Sequence, residues 1–230
     1  KFGGVLGHCH KSSGALNITN CTNNSPFTVS NAGAIFQVGG ISGAIVENVL
    51  LKATDCVNNG AMTFTSVSTD QKIFGGLFGY MRSVADADFQ ITGCVNNANM
   101  TTSASGTVSE TDIAGIVGYA GAYLTFTNCK NYGAISTSGS ATKPRPAGIA
   151  AVANGTGTKF VSCENWGKVS SASSNGNLYI GGLVAYSISV SFDGCSNNAV
   201  VEVTNAGGDS NVGGIAGQAE SVTMNNTVNK

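Results

Sequence analysis

The sequence has few charged residues, and this scarcity excludes several classes of partner. Charged residues make up 10% of the 230 residues, and the formal net charge is −1. Binding to nucleic acid, or to an anionic membrane surface, relies on a basic patch or stripe that this composition does not supply. We therefore expect no nucleic-acid partner.

Long apolar runs are missing as well. No run approaches the ~20 residues that a membrane-spanning helix needs, so we expect no membrane insertion by this segment. The chain opens on the element "FGGVLG" rather than on the basic start and apolar core of a signal peptide. We expect a mature or trimmed piece of a longer chain that carries further domains.

The residues that form helices well are scarce, whereas glycine is abundant. There are 32 glycines, three prolines and one tryptophan, alongside many Asn, Ser, Thr, Val and Ile residues. This balance disfavours helices and favours short strands joined by turns. Seven cysteines are an odd number, so the chain alone cannot form a fully paired disulfide framework.

A Cys-x-Asn motif recurs along the whole chain at steps of 32 to 38 residues. In the last copy threonine replaces cysteine, but the asparagine is kept. The cysteines of the motif are Cys21, Cys56, Cys94, Cys129, Cys163 and Cys195, followed by Thr227. The asparagines are Asn23, Asn58, Asn96, Asn131, Asn165, Asn197 and Asn229.

A second marker, a small residue followed by glycine and an aliphatic residue, lies between the motifs. Its copies begin at Gly3, Gly39, Gly75, Ala114, Ala147, Gly181 and Gly213. Each repeat contains three short apolar stretches, of the types "SISVSFDGC", "NAVVEVT" and "IGGLVAY". Repeats of this kind predict a coil stacked on copies of itself, with each turn burying its inward residues on its neighbours.

The fold expected from this pattern is all-β: one right-handed parallel β-helix, or β-solenoid, over residues 1–230. We expect about six to seven coils with three strands per coil. A seven-bladed β-propeller is the alternative, because there are seven marker copies. Propeller blades usually take ~40 to 45 residues and four strands, so the shorter repeat favours the solenoid.

The motif itself is interpreted as architecture. Asparagine at a corner can bond its copies along the axis and tolerate a left-handed backbone, and paired glycines suit a positive φ or a close approach. The cysteines are expected to form a buried ladder, because a metal ligand or nucleophile could not become Thr227 without loss. "HCH" at 8–10 does not converge on a metal, so no metal or cofactor is expected.

The recurring "GGLFGYM", "AGIVGYA" and "GGLVAYS", each followed by a "C.N.G" half, resemble the GLUG-type repeats of bacterial cell-surface proteins. They are also similar to repetitive surface proteins of gut Bacteroidetes, and the resemblance covers essentially the whole chain. It implies an exported, cell-surface or secreted bacterial protein of adhesin-like type. The family supplies no catalytic residues that could be mapped onto this sequence.

The loops that precede the Cys corner are longer in the first three repeats, and per-repeat insertions often collect on a binding face. These loops lie in "GHCHKSSGALN", "GAIVENVLLKA" and "GYMRSVADADFQ". The last contains Asp86 and Asp88, with Arg82 nearby, which are weak candidates for catalysis in a β-helix polysaccharide lyase or hydrolase. An isolated acidic pair is more often a solvated loop tip, and we lean against an enzyme.

Trp166, the sole tryptophan, shares its repeat position with Tyr132 and with asparagines in other repeats. The two rings should lie one turn apart at a corner and could stack on a sugar ring. We expect a non-catalytic, adhesin-like module that presents a surface to a glycan or to a host or cell-surface protein. The alternatives are a carbohydrate-active β-helix enzyme and a structural spacer without a ligand.

Overall fold

The computed structural model describes residues 1–10, 15–30, 36–46, 50–66, 70–82, 89–104, 110–173, 176–204 and 208–230. Every regular element in these ranges is a β-strand, as expected from the shortage of helix formers. A search of these residues for a helix long and apolar enough to cross a membrane finds none.

Sheet A has seven parallel strands, one from each turn, and each ends at the first residue of the glycine marker. In stacking order they are β1 (Phe2–Gly3), β6 (Phe36–Gly39), β11 (Lys72–Gly75), β16 (Thr111–Ala114), β21 (Pro144–Ala147), β25 (Leu178–Gly181) and β29 (Ser210–Gly213).

Sheet B follows the marker and is the largest sheet. Turns one to four and turn seven give it two strands each, whereas turns five and six give it one long strand. The strands are β2 (Leu6–His10), β3 (Ala15–Thr19), β7 (Ser42–Val46), β8 (Leu50–Thr54), β12 (Phe78–Arg82), β13 (Phe89–Thr92), β17 (Val117–Ala120), β18 (Leu124–Thr127), β22 (Ala150–Val161), β26 (Val184–Asp193), β30 (Ala216–Glu220) and β31 (Thr223–Asn225).

Sheet C consists of two-residue strands that end at the asparagine of the motif: β4 (Thr22–Asn23), β9 (Val57–Asn58), β14 (Val95–Asn96), β19 (Lys130–Asn131), β23 (Glu164–Asn165), β27 (Ser196–Asn197) and β32 (Val228–Asn229). Sheet D completes six turns: β5 (Phe27–Ser30), β10 (Met62–Ser66), β15 (Met100–Ala104), β20 (Ile135–Gly139), β24 (Val169–Ser173) and β28 (Val201–Val203).

The predicted β-solenoid is confirmed, and the molecule is not a propeller. Each strand pairs in parallel with the equivalent strand of the neighbouring turns, as in the pairing of Asn58 with Asn96 and of Met62 with Met100. A propeller blade would instead pair strands from within one repeat. The chain makes six complete turns and part of a seventh.

Each turn contains as many as five strands, whereas the sequence predicted three, one for each apolar stretch of the repeat. The "IGGLVAY" stretch bends at its second glycine, so that it contributes to both sheet A and sheet B. The Cys-x-Asn corner adds the short strand of sheet C. The alternation of apolar residues did not show these strands, because two residues are too few to display a period.

Two apolar cores run along the axis. The larger lies inside sheet B and the Cys corner, where Phe126, Phe160 and Phe192 stack from turn to turn with ring centroids 5.0 and 5.1 Å apart. The smaller lies between sheets A and D, where Phe64 and Phe74 stack at 3.8 Å. In the larger core, aromatic rings at one repeat position therefore stack on successive rungs, as the repeat predicts.

Candidate functional site: the asparagine corner and its aromatic pair

The asparagines of the motif form a continuous hydrogen-bonded ladder along one corner. The Nδ2 atom of each asparagine donates to the Oδ1 atom of the next, 2.8 Å away, through all six steps from Asn23 to Asn229. Within a turn Nδ2 also donates to a backbone carbonyl, as from Asn96 to Ala98 over 2.9 Å. The five central asparagines are fully buried, so the ladder satisfies amides that water cannot reach.

The second glycine of the marker lies against this ladder. A Cβ atom on Gly76 would lie 2.7 Å from the side chain of Asn96, and one on Gly115 would lie 2.2 Å from Oδ1 of Asn131. Neither glycine has a positive φ. Of the two reasons offered by the sequence for paired glycines, close approach is therefore the one that applies at this position.

The left-handed residue of the corner is not the asparagine of the ladder, and that part of the expectation is wrong. Positive φ falls on the residue before the cysteine or threonine: Asn20 (54°), Asp55 (52°), Gly93 (64°), Asn128 (53°), Ser162 (52°), Gly194 (63°) and Asn226 (47°). Most of these are Gly, Asn or Asp, the residues that visit this region most readily. The frequent Gly, Asn and Asp residues just before the cysteine were the sequence feature that could have predicted this left-handed position.

The cysteines of the motif point into the larger core. Cys56, Cys94, Cys129, Cys163 and Cys195 are buried, Cys21 is half-buried, and all are free thiols. Each buried Sγ contacts the carbonyl two residues earlier, and Oγ1 of Thr227 bonds Asn225 in the same way over 3.0 Å. The neighbouring thiols of Cys163 and Cys94, together with burial, raise the pKa of the Cys129 thiol. Such a thiol is a poor nucleophile.

The position after each ladder asparagine lies on the outside of the corner. In the first three turns it forms a second, exposed ladder, in which Asn59 donates to Asn24 and Asn97 donates to Asn59, both over 2.8 Å. Tyr132 and Trp166 occupy this position in the next two turns, with 48% and 49% of their surface exposed. Their backbone nitrogens bond the carbonyls of the preceding turn, so the rings project from successive rungs.

The side chain of Trp166 is held by its neighbours on the corner. Its indole Nε1 donates to Oε2 of Glu164 over 2.8 Å, and Nζ of Lys130 lies 3.3 Å from the same oxygen. The hydrogen bond from the indole is the main cause that lowers the pKa of the Glu164 carboxyl. Lys168, two residues further along the chain, pairs with Glu202 over 2.5 Å.

Of the three weak catalytic candidates, the structure describes Arg82, an exposed residue at the end of β12. Asp86 and Asp88 lie outside the described residues, as do the middles of the three long loops. His8 and His10 project from β2 with ring centroids 5.7 Å apart, while the half-buried Cys9 packs against the core. Within the described ranges no cluster of three or more His, Cys, Asp or Glu residues could hold a metal.

The sequence reasoning missed a buried ionic cluster on sheet A. Asp112 is fully buried; its Oδ1 lies 2.6 Å from Nε of Arg145, and its Oδ2 accepts from Gln71 over 2.9 Å. The contact with Arg145 is electrostatic, since neither atom makes a hydrogen bond of normal geometry. Arg145 also bonds Glu110. Burial raises the pKa of the Asp112 carboxyl to about 6.

A register argument could have found this cluster. Asp112 and Arg145 each stand two residues before the glycine marker, so the stacking of successive turns places them on adjacent rungs. Arg145 is largely covered, and its guanidinium also lies 5.9 Å from the ring centroid of Tyr186. The cluster pairs its charges internally, and it therefore acts as a tie between adjacent strands.

Comparison with family models, with curated proteins and with solved structures finds no significant match.

Proposed function

We propose that this chain is a non-catalytic repeat module of a bacterial surface protein, and that it contacts glycans through Tyr132 and Trp166. The proposal rests on one observation: two aromatic side chains, each half-exposed, replace asparagine on successive rungs of an outer corner. Four other turns fill this position with asparagine, so the solenoid itself does not require an aromatic residue there.

The chemistry of the corner suits an uncharged sugar. A pyranose presents an apolar face that packs on an aromatic ring, and hydroxyl groups that bond to nearby polar side chains. The carboxylate of Glu164 and the ammonium of Lys130 lie beside the indole and already form a pair. A neutral glycan can accept and donate hydrogen bonds here without leaving a buried charge unpaired.

The experiment is a glycan-array screen followed by titration, with Trp166→Asn and Tyr132→Asn as the test variants. Asparagine is the residue that the architecture uses at this position, so the fold should be kept. Each variant should weaken binding by roughly 1–3 kcal/mol, the usual range for an exposed aromatic anchor. The matched control is Val200→Asn, which removes another exposed apolar side chain, 63% exposed, from the sixth turn.

A separate experiment tests the alternative that the protein is a carbohydrate-active enzyme. Among the described residues, the fully buried carboxylate of Asp112 is paired with Arg145 and is not open to a substrate, and we propose that the module is not an enzyme. Incubation with a panel of polysaccharides should therefore release no products. Cleavage that disappears in Asp86→Ala or Asp88→Ala would overturn the non-catalytic proposal in favour of a lyase or hydrolase.

A further inference from the structure

A second aromatic pair lies on sheet B, in the interior turns three and four. Tyr80 of β12 and Tyr119 of β17 are direct neighbours in the parallel register. Their rings stack with centroids 4.9 Å apart and an angle of 20° between the planes, and both residues are half-buried. The solenoid does not require this pair, because Ala44 and Val152 occupy the same position in the turns on either side.

Two exposed polar residues stand beside the pair. Arg82 ends β12, two residues after Tyr80. Asn154 of β22 stands two residues after Val152, and it is exposed as well. Because residues two apart in a strand lie on the same face, both polar side chains project on the face that carries the tyrosines. Met81, between Tyr80 and Arg82, is buried in the larger core, so this face is the outer one.

Both polar side chains act on the phenol of Tyr119. In the fourth turn their position is taken by Gly121, and the aliphatic part of Arg82 lies over it, with Cγ 3.5 Å from the place of an added Cβ. Burial is the main cause that raises the pKa of the Tyr119 phenol. A hydrogen bond from Asn154 and the positive charge of Arg82 act in the opposite direction. The stacked rings therefore share their outer face with an amide and a guanidinium.

The charge of this surface suits an anionic ligand. Among the described residues Arg82 makes no ion pair, so its guanidinium is exposed to solvent without a carboxylate. The buried carboxylate of Asp112 also acts on Tyr119, but it is paired with Arg145. A guanidinium only donates hydrogen bonds, and an amide and two phenols can donate as well. A ligand that carries an oxyanion can accept from all of them.

We propose that Tyr80, Arg82, Tyr119 and Asn154 form a binding site for an acidic sugar of a polysaccharide. The guanidinium of Arg82 pairs with the sugar carboxylate, for which its planar fork is well shaped. The amide of Asn154 bonds a hydroxyl group, and the tyrosine pair packs against the apolar part of the sugar ring. An acidic sugar is favoured over an acidic peptide because the cation lies beside an aromatic pair that offers this apolar contact.

The site shares no residue with the aromatic corner proposed above, and it does not depend on glycan contact there. The test is calorimetric titration of the full chain with a trimer of galacturonic acid and with the methyl ester of the same trimer. The ester keeps the sugar rings but lacks the negative charges. The unmodified protein should bind the acid at least about tenfold more tightly than the ester. Added salt should weaken binding of the acid more than binding of the ester.

The variants separate the cation from the aromatic pair. Arg82→Gln should weaken binding of the acid at least about tenfold and remove most of its salt dependence. Tyr119→Val introduces the residue that the next turn uses, and it should weaken acid and ester alike by roughly fivefold. The matched control is Lys159→Gln, which removes an exposed cation from the other half of sheet B and should leave the affinity unchanged. Circular dichroism checks the fold of each variant.

Several results would overturn this site. The first is absence of binding, and the second is equal affinity of the unmodified protein for the acid and the ester. The third is an unchanged affinity for the acid in Arg82→Gln. Equal binding of a triglutamate peptide would overturn the assignment to a sugar. Trp166→Asn should leave binding of the acid unchanged, and a loss there instead of in Arg82→Gln would assign the acid to the aromatic corner and refute the present site.

Discussion

The side-chain nitrogen of Asn96 donates to Oδ1 of Asn131 over 2.8 Å, although the two residues are 35 positions apart in the chain. Both are fully buried, and both belong to a ladder that runs the length of the solenoid. This hydrogen bond depends on the regular spacing of the sequence repeat, because it forms only when successive turns stack in register.

Asn131→Ala should destabilise the fold by about 2–4 kcal/mol, since it removes one hydrogen bond from the buried amide of each of two neighbours, Asn96 and Asn165. Urea unfolding followed by circular dichroism measures the change. Asn97→Ala removes a rung of the exposed ladder and should change stability by less than about 0.5 kcal/mol. Equal losses of unfolding free energy in the two variants would contradict the claim that burial makes the inner ladder more stabilising than the exposed one.

Gly115→Ala should cost about 1–3 kcal/mol, because its Cβ would overlap Oδ1 of Asn131 at 2.2 Å. The matched control is Gly121→Ala, where an added Cβ would approach no atom closer than 3.4 Å. We expect the control to lose less stability in the same urea titration. A control that loses as much as Gly115→Ala would contradict the role given to the ladder contact.

The buried thiols should be inert in the native protein. Titration with a thiol reagent should modify Cys9 and Cys21, the two half-buried cysteines, before the five buried ones. The buried cysteines should react only after unfolding, at a rate that follows denaturant concentration. Rapid native reaction of Cys129 would contradict its assignment to the core.

The ionic cluster predicts a specific pH dependence. The pKa of the Asp112 carboxyl is about 6 in the folded protein, against 3.8 as the ordinary value. The folded state therefore binds this proton more tightly than the unfolded state does. The contribution of Asp112 to stability is greatest below pH 3.8 and is lost as the pH rises through about 6.

Asp112→Asn should remove this slope from stability measured between pH 4 and pH 7. Arg145→Met should destabilise the protein at pH 7 by about 3–5 kcal/mol, because it leaves a carboxylate buried without its cation. The loss in Arg145→Met should be smaller at acidic pH, where Asp112 is protonated. Identical pH profiles for the unmodified chain and Asp112→Asn would refute the link to this carboxyl.

The repeat arithmetic of the sequence was enough to predict the solenoid, its inner ladder and the outward position of Trp166. These features follow from spacing alone, because a residue that recurs once per turn must stack on its copies. The left-handed residue before each cysteine escaped the reasoning, since its identity alternates among Asn, Asp, Gly and Ser. Register alone places Asp112 and Arg145 on adjacent rungs, but their contact was missed because it occurs in one pair of turns and is not repeated.

At the outer corner, too, the sequence predicts only part of the structure. The sequence placed Tyr132 and Trp166 on neighbouring rungs, but not the hydrogen bond from the indole to Glu164. That contact depends on a side-chain rotamer and on Lys130 one turn away, and neither leaves a periodic trace. Periodicity predicts which residues share a rung, whereas the side-chain geometry within one rung is known only from the structure.

The most direct test of glycan contact at the corner uses the fluorescence of Trp166, because it is the sole tryptophan of the chain. A glycan identified on the array is titrated into the unmodified protein and into Tyr132→Asn while the indole emission is recorded. We predict a saturable change in emission in the unmodified protein, with a midpoint that shifts to higher glycan concentration in Tyr132→Asn. Binding seen by calorimetry with no change in Trp166 emission, and with the same affinity in Tyr132→Asn, would contradict the account.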